Sequence, residues 1–383
     1  MTGNVLEYLD WRGDLSFAAS GFCEVDNLVF SMLSFVDFTG IVPSDGLAGP
    51  VRLDRCYEAF HEKYPEGQAY GAIIPGENNE LFRKAARSAR FREVYVACYR
   101  NEVDEAAVKQ FAAVTFLLPD RSIFIAFRGT DDTLVGWRED FQLSFTCPVP
   151  SQQRAVDYVE DMCRLYTGPV RLGGHSKGGN LSAYAAAFSA KAVRDRLLIA
   201  YSNDGPGFTE DVIESAEYRE MVEKIVVLMP QSSIVGMLLE HNGPYRVIQS
   251  TQSTLLQHDP YSWQIIGREF VTLPDFSPEG KRNAARIKGW VRSMKPEDRR
   301  KFTDLFFRVL EAGNARTLSD LTEDAMKTIS SALRTWRDFT PEERTEMQYF
   351  LKLYWSAGRR EDTKNYRPLG TGGDGETGGD GRF

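Results

Sequence analysis

Val25, Leu28, Val29, Met32, Leu33 and Val36 recur at i, i+3, i+4, i+7 and i+8, a spacing that predicts a helix with one apolar face. The Gly, Pro and Asp content of 40–46 predicts a loop after it. Helices are expected over 53–63 and 79–90. From Arg92 the pattern shifts to β-branched and aromatic residues, predicting strands at 93–99, 110–118 and 122–127. Pro119-Asp120-Arg121 would join the last two as a hairpin. Helices are then predicted at 135–145 and 152–166, a strand at 169–172, a helix at 178–189, strands at 197–202 and 224–229, a short helix from Ser233 and a strand at 245–249. Strands alternating with helices of this length imply an α/β fold, a mostly parallel sheet with helices on both faces.

Further along, the period becomes helical. Ser277-Pro278-Glu279 and Thr340-Pro341-Glu342-Glu343 are helix starts, each a capping residue ahead of a proline. Phe302, Leu305, Phe306, Val309 and Leu310 form one stripe, and Met347, Phe350, Leu351 and Tyr354 another. The expected organisation is a helical N-terminal extension over 1–90 packed on the core, an α/β core over 91–272, a helical C-terminal appendage over 273–362, and a tail over 363–383. That tail, rich in Gly370, Gly372, Gly373 and Gly375, is too poor in apolar surface to order itself.

Composition narrows the function classes. The 383 residues are 42% hydrophobic and 26% charged, and 46 Lys plus Arg against 54 Asp plus Glu leave a net charge of -8. Such a chain has no overall field favouring nucleic acid. Its longest apolar runs fall far short of the ~20 residues of a membrane span. Glu7, Asp10 and Asp14 stand where a signal peptide would be basic and then apolar. Five scattered cysteines with no CxxC spacing suit reduced thiols and a cytoplasmic location, and they offer no metal site. The histidines are four: His61, His175, His241 and His258.

Gly174, Ser176 and Gly178 fit G-x-S-x-G within Gly173-Gly174-His175-Ser176-Lys177-Gly178-Gly179-Asn180, between a predicted strand and an Ala-rich helix. A turn that sharp forces the serine into a strained conformation and leaves no room for side chains at the flanking positions. It also aims the helix N-terminus at any oxyanion formed by the serine's target. The alternative is a Gly-rich turn with a spectator serine. Upstream, Ile123 to Thr130 reads as a strand ending in Gly129-Thr130. Thr130 could offer a backbone N–H and a hydroxyl to the oxyanion, and the Lys177 N–H would be the second donor.

Ala126-Phe127-Arg128-Gly129-Thr130, then Trp137 and Asp140, then Gly173 to Gly179, resemble the class 3 lipases. The whole chain is similar to a bacterial family with a lipase-like α/β-hydrolase core, through Tyr8-Leu9-Asp10-Trp11-Arg12-Gly13-Asp14-Leu15, Asn203-Asp204-Gly205-Pro206-Gly207-Phe208 and Gln257-His258-Asp259. The resemblance implies an α/β-hydrolase core, an acyl ester or lipid-like small molecule as substrate and no cofactor. It also places a lid near 133–145, where core packing is the plainer reading of an amphipathic helix.

A serine nucleophile needs a base, and the order in this fold is Ser, acid, His. His61 precedes the sheet, and His175 at the elbow should point away from the attack site. Of the remaining two, His241 should end a helix, whereas His258 would lie in a loop at the sheet's C-terminal edge and is the favoured base. In class 3 lipases an Asp commonly follows the strand that here is 224–229, but this chain reads Pro230-Gln231-Ser232-Ser233. Asp204, one strand earlier, is the favoured acid, although Asn-Asp-Gly is also ordinary turn chemistry. The expected activity is hydrolysis of an ester or acyl bond through Ser176, His258 and Asp204. The alternatives are a weak or inactive hydrolase-fold binding or regulatory module, with a protein partner on the C-terminal helices, and an acyltransferase using the same serine.

Overall fold

The segment Ile123–Phe127 is buried along its whole length. Phe124 and Ala126 face one apolar cluster while Ile123, Ile125 and Phe127 face the other, as the two-residue period of a strand requires. A strand covered on both faces needs a helical layer on each side, and the chain supplies both. The computed structural model describes residues 2–357 other than 72, 73, 314 and 324. The Gly-rich stretch 363–383 and the end of the appendage lie outside the described residues.

Among the described residues, one nine-stranded sheet contains β1 (Val51–Arg52), β2 (Tyr95–Asp104), β3 (Lys109–Leu117), β4 (Ile123–Phe127), β5 (Val170–His175), β6 (Leu197–Asn203), β7 (Ile225–Pro230) and β8 (Tyr245–Ile248) in sequential order. A small ribbon, β9 (Ile265–Ile266) with β10 (Glu269–Phe270), precedes β11 (Thr272–Leu273), which closes the edge beside β8. Strands β4 to β8 are mutually parallel. Strands β1 to β4 and the β8–β11 pair are antiparallel. The fold is therefore α/β, with a mostly parallel central sheet.

Helices α1 (Val5–Arg12), α2 (Glu24–Leu33), α3 (Leu53–Lys63) and α4 (Glu77–Arg87) cover one face with Val114, Phe116, Phe124 and Leu228. All ten residues of α2 are buried. Its polar side chains must therefore find partners. Asp26 accepts from Arg90 Nε at 2.7 Å and Tyr8 Oη at 2.8 Å, and Asn27 and Ser31 meet Asn203 at the end of β6.

The opposite face carries α6 (Pro150–Leu165) and α7 (Lys177–Phe188), which follow α5 (Leu134–Gln142). The short helices α8 (Lys191–Arg194), α9 (Glu210–Glu214) and α10 (Ala216–Met221) complete that layer. After the sheet come α11 (Pro278–Arg292), α12 (Pro296–Leu310), α13 (Leu318–Glu323), α14 (Ala325–Asp338) and α15 (Pro341–Ala357). Met294, Phe302, Leu305, Phe339, Met347 and Phe350 form a third cluster there, against which Phe141 of α5 packs. Helix α5 is thus held between sheet and appendage: Phe141 stacks on Phe306 with ring centroids 5.6 Å apart, and Arg138 pairs with Asp304 at 2.7 Å.

Two expectations are corrected. The segment after Ser233 forms turns instead of a short helix, so His241 does not end a helix. Strand β2 starts two residues later than expected and runs on to Asp104, with a register shift between Ala97 and Arg100 where Cys98 has φ of 48°. Among the described residues no helix is long and apolar enough to cross a membrane.

Candidate active site

Strand β5 ends at His175, α7 begins at Lys177, and Ser176 between them has φ 59° and ψ -130°. A non-glycine residue in the left-handed region persists only where its surroundings impose it. Here they do. A Cβ at Gly174 would come within 2.6 Å of the Phe127 carbonyl oxygen, and one at Gly178 would fall on that same carbonyl. Strand and helix therefore approach as closely as glycine permits, and Ser176 stands at the tip, partly exposed.

The loop after β6 is stitched to this elbow. Ser176 N–H donates to Asn203 O at 3.0 Å, and Asn203 Nδ2 donates to Gly174 O at 2.9 Å. Asn180, on the first turn of α7, donates to the carbonyls of Pro206 and Gly207. Asp204, itself at φ 51°, is buried within that loop. Burial of a carboxylate is costly without donors. Three are supplied: Ser233 Oγ and Gly236 N–H bond Oδ1, and His258 Nδ1–H donates to Oδ2 at 2.7 Å. Ser233 belongs to the loop after β7, where the resemblance leads one to look for a carboxylate; that loop serves the Asp204 carboxylate as a donor instead.

His258 ends a turn of 3-10 helix, Thr254–His258, beyond β8. With Nδ1 committed to Asp204, Nε2 is left as the acceptor, and the side chain keeps 17% of its surface exposed. The Ser176 hydroxyl makes no hydrogen bond to another described residue. His241 lies elsewhere, buried, its Nε2–H bonded to Gly236 O at 2.6 Å, and burial pushes its pKa down to about 4. His61 sits on α3, stacked on Tyr57 with ring centroids 6.0 Å apart.

The loop after β4 runs beside the elbow, since a Cβ on Gly129 would lie 3.2 Å from Ser176 Cβ. The Thr130 N–H and the Lys177 N–H bond no acceptor among the described residues, and both stand at this bend. The Thr130 hydroxyl, offered to the oxyanion on sequence grounds, donates instead to Asp140. Burial pushes the Asp140 carboxyl up to about 6, with Lys177 acting in the opposite direction.

Sequence reasoning missed the Lys177 side chain. Its ammonium is wholly buried and donates to Gln110 O at 2.9 Å, Gln110 Oε1 at 2.7 Å and Glu139 Oε2 at 3.1 Å. Glu139 also accepts from Ser151 N–H at 2.8 Å and Ser151 Oγ at 2.7 Å. This network joins the residue after Ser176 to the middle of α5. The local pattern gave no signal for Glu139, which lies across the helix from the side of Leu134, Trp137 and Phe141 and is nevertheless buried. The His175 ring, expected to point away from the attack site, is buried and lies against that of His258, with centroids 4.5 Å apart. Among the described residues no group of three His, Cys, Asp or Glu is arranged to hold a metal ion.

An imidazole oriented by a buried carboxylate, a strained serine and two unengaged N–H groups are the parts that nucleophilic acyl transfer uses. Comparison with known proteins gives a family and likenesses to solved structures. No curated protein matches the chain. Among solved structures it is similar to the native Rhizomucor miehei lipase propeptide complex, at 13% identity and a TM-score of 0.36, covering 62% of this chain and 70% of that one. It is similar also to M37 lipase, at 13% identity and a TM-score of 0.33, covering 55% of this chain and 67% of that one. The profile of the Mbeg1-like family matches residues 85–308, more than half of the chain, and the protein belongs to the Mbeg1-like family.

Proposed function

We propose that the protein is a serine hydrolase that cleaves an ester or related acyl bond of a small, lipid-like molecule. The observation that carries this reading is the 2.7 Å bond between His258 Nδ1 and buried Asp204, on a loop tied to the Ser176 elbow. In the proposed reaction His258 Nε2 takes the Ser176 proton as Oγ attacks the carbonyl carbon, and the oxyanion is held by the N–H groups of Thr130 and Lys177. Collapse breaks the acyl–oxygen bond, and the proton passes from His258 to the departing alcohol. Water, deprotonated by the same imidazole, then releases the acid from the acyl-enzyme.

Two observations favour a second reading, a hydrolase-fold binding module: the Ser176 hydroxyl bonds no other described residue, and the C-terminal helices expose Ile329, Leu333, Tyr349, Leu351 and Trp355 to a partner. Hydrolysis of p-nitrophenyl acetate and p-nitrophenyl palmitate by wild type and Ser176→Ala separates the two. Turnover lost in Ser176→Ala supports the hydrolase. Equal rates in both proteins overturn it.

A further inference from the structure

The turn that carries His258 has few bonds of its own, from Leu256 N–H to Ser253 O and from Asp259 N–H to Leu256 O, both 3.2 Å, and from Gln257 Nε2 to Gln252 O at 2.7 Å. It is a single 3-10 turn whose Leu255 and Leu256 are exposed, and Thr254 enters it at φ 51°. Its last two carbonyls are instead bonded from the protein interior. Trp263 Nε1–H donates to Gln257 O at 2.9 Å, and His175 Nε2–H donates to His258 O at 2.8 Å. The two imidazole rings lie 4.5 Å apart at 37°, and His175 is enclosed by Phe35 and Trp263.

We infer that His175 is a positioning residue for His258, fixing the base relative to the nucleophile through the residue adjacent to that nucleophile. The inference rests on the hydrolase reading and adds to it. Ser176 and His175 are consecutive in a strained elbow, so their relation is set by covalent geometry. One carries the hydroxyl and the other the tie to the base. The His258 turn cannot shift relative to the Ser176 hydroxyl without breaking the bond from His175.

The chemistry of the link selects one tautomer. A carbonyl only accepts, so His175 must carry its proton on Nε2, and Nδ1 is then a bare lone pair. Nδ1 is buried without a partner among the described residues, as that tautomer allows. Burial, and after it the neighbouring His258, hold the His175 pKa well below the ordinary imidazole value, so it stays a neutral donor while His258 takes up a proton. A second positive ring at 4.5 Å would oppose that proton.

The test compares His175→Gln, whose amide reaches the same carbonyl, with His175→Asn, whose shorter amide does not, and His175→Phe, which keeps a ring without a donor. Steady-state constants on p-nitrophenyl butyrate are measured with the rate of fluorophosphonate labelling at Ser176. Loss of orientation should lower kcat about 10- to 100-fold in His175→Asn and His175→Phe with KM within about twofold, while His175→Gln stays within about threefold of wild type. Should His175→Phe fail to fold, the Gln and Asn pair decides the matter. Labelled wild type with Gln and Asn variants equal to each other in kcat overturns the role of His175 alone. Wild type that is neither labelled nor active overturns the hydrolase reading itself.

Discussion

His258 Nδ1 and Asp204 Oδ2 lie 2.7 Å apart although 54 positions separate the two residues in the chain. A carboxylate in that place fixes the tautomer that leaves Nε2 free to take a proton. In Asp204→Asn the amide N–H₂ can face Nδ1 and stabilise the opposite tautomer. With ester hydrolysis as the assay, kcat is expected to fall about 10³- to 10⁴-fold with KM little changed. A decrease of less than about tenfold would show that Asp204 does not act on His258.

The Lys177–Glu139 pair is fully buried, and removing one partner strands the other away from water. Lys177→Met is expected to lower stability by about 3 kcal/mol, read from urea unfolding midpoints. Combining it with Glu139→Gln should cost less than the sum of the single changes, by about 1 kcal/mol or more. Simple additivity would mean that the two side chains do not depend on each other.

Stability should fall as the solution is acidified below neutrality. The His241 pKa is about 4 in the folded chain, against an unfolded value near 6.5, so between those pH values the unfolded state holds a proton that the folded state lacks. The stabilisation from this group is complete above about pH 6.5 and declines as pH falls toward 4. Buried His175 acts in the same direction, whereas Asp140, raised to about 6, acts in the opposite one. His241→Gln removes one contribution. Between pH 7 and pH 5 it should lose about 2 kcal/mol less than wild type in urea titrations. An unchanged pH dependence would mean that His241 is not held neutral.

Gly178→Ala places a methyl group on the Phe127 carbonyl, a backbone atom that cannot turn aside. The elbow must open, and the oxyanion donors move with it. Stability is expected to drop by about 2 kcal/mol and ester turnover by about 10²-fold. A variant with wild-type kinetics would show that the elbow does not need this close approach.

Much of the fold was legible because the local pattern and the tertiary environment agree. Helix α3 spans the predicted 53–63, and β4 and β6 lie within a residue of their expected bounds. The glycines of the elbow mark the place where only a missing side chain lets strand meet helix. What the sequence hid are partnerships whose two halves lie far apart in the chain. Asp26, Asn27 and Ser31 interrupt an apolar helix, but Arg90 and Asn203 become their partners only after folding. The Lys177 side chain has no role in the local pattern, because Glu139 and Gln110 close around it only in the fold. The segment at 233 reads as helix by composition. It forms turns in which the Ser233 hydroxyl and the Gly236 N–H both reach Asp204.

The hydrolase proposal depends on Ser176 being a nucleophile activated from the His258 side. Treating the folded protein with a fluorophosphonate and locating the adduct by peptide mass spectrometry tests it most directly. The expected result is one phosphonyl group per chain, on Ser176, formed in wild type, absent in Ser176→Ala and slowed at least 100-fold in His258→Ala. Wild type left unmodified across pH 6 to 9, or modified at the same rate when His258 is replaced, would contradict the account.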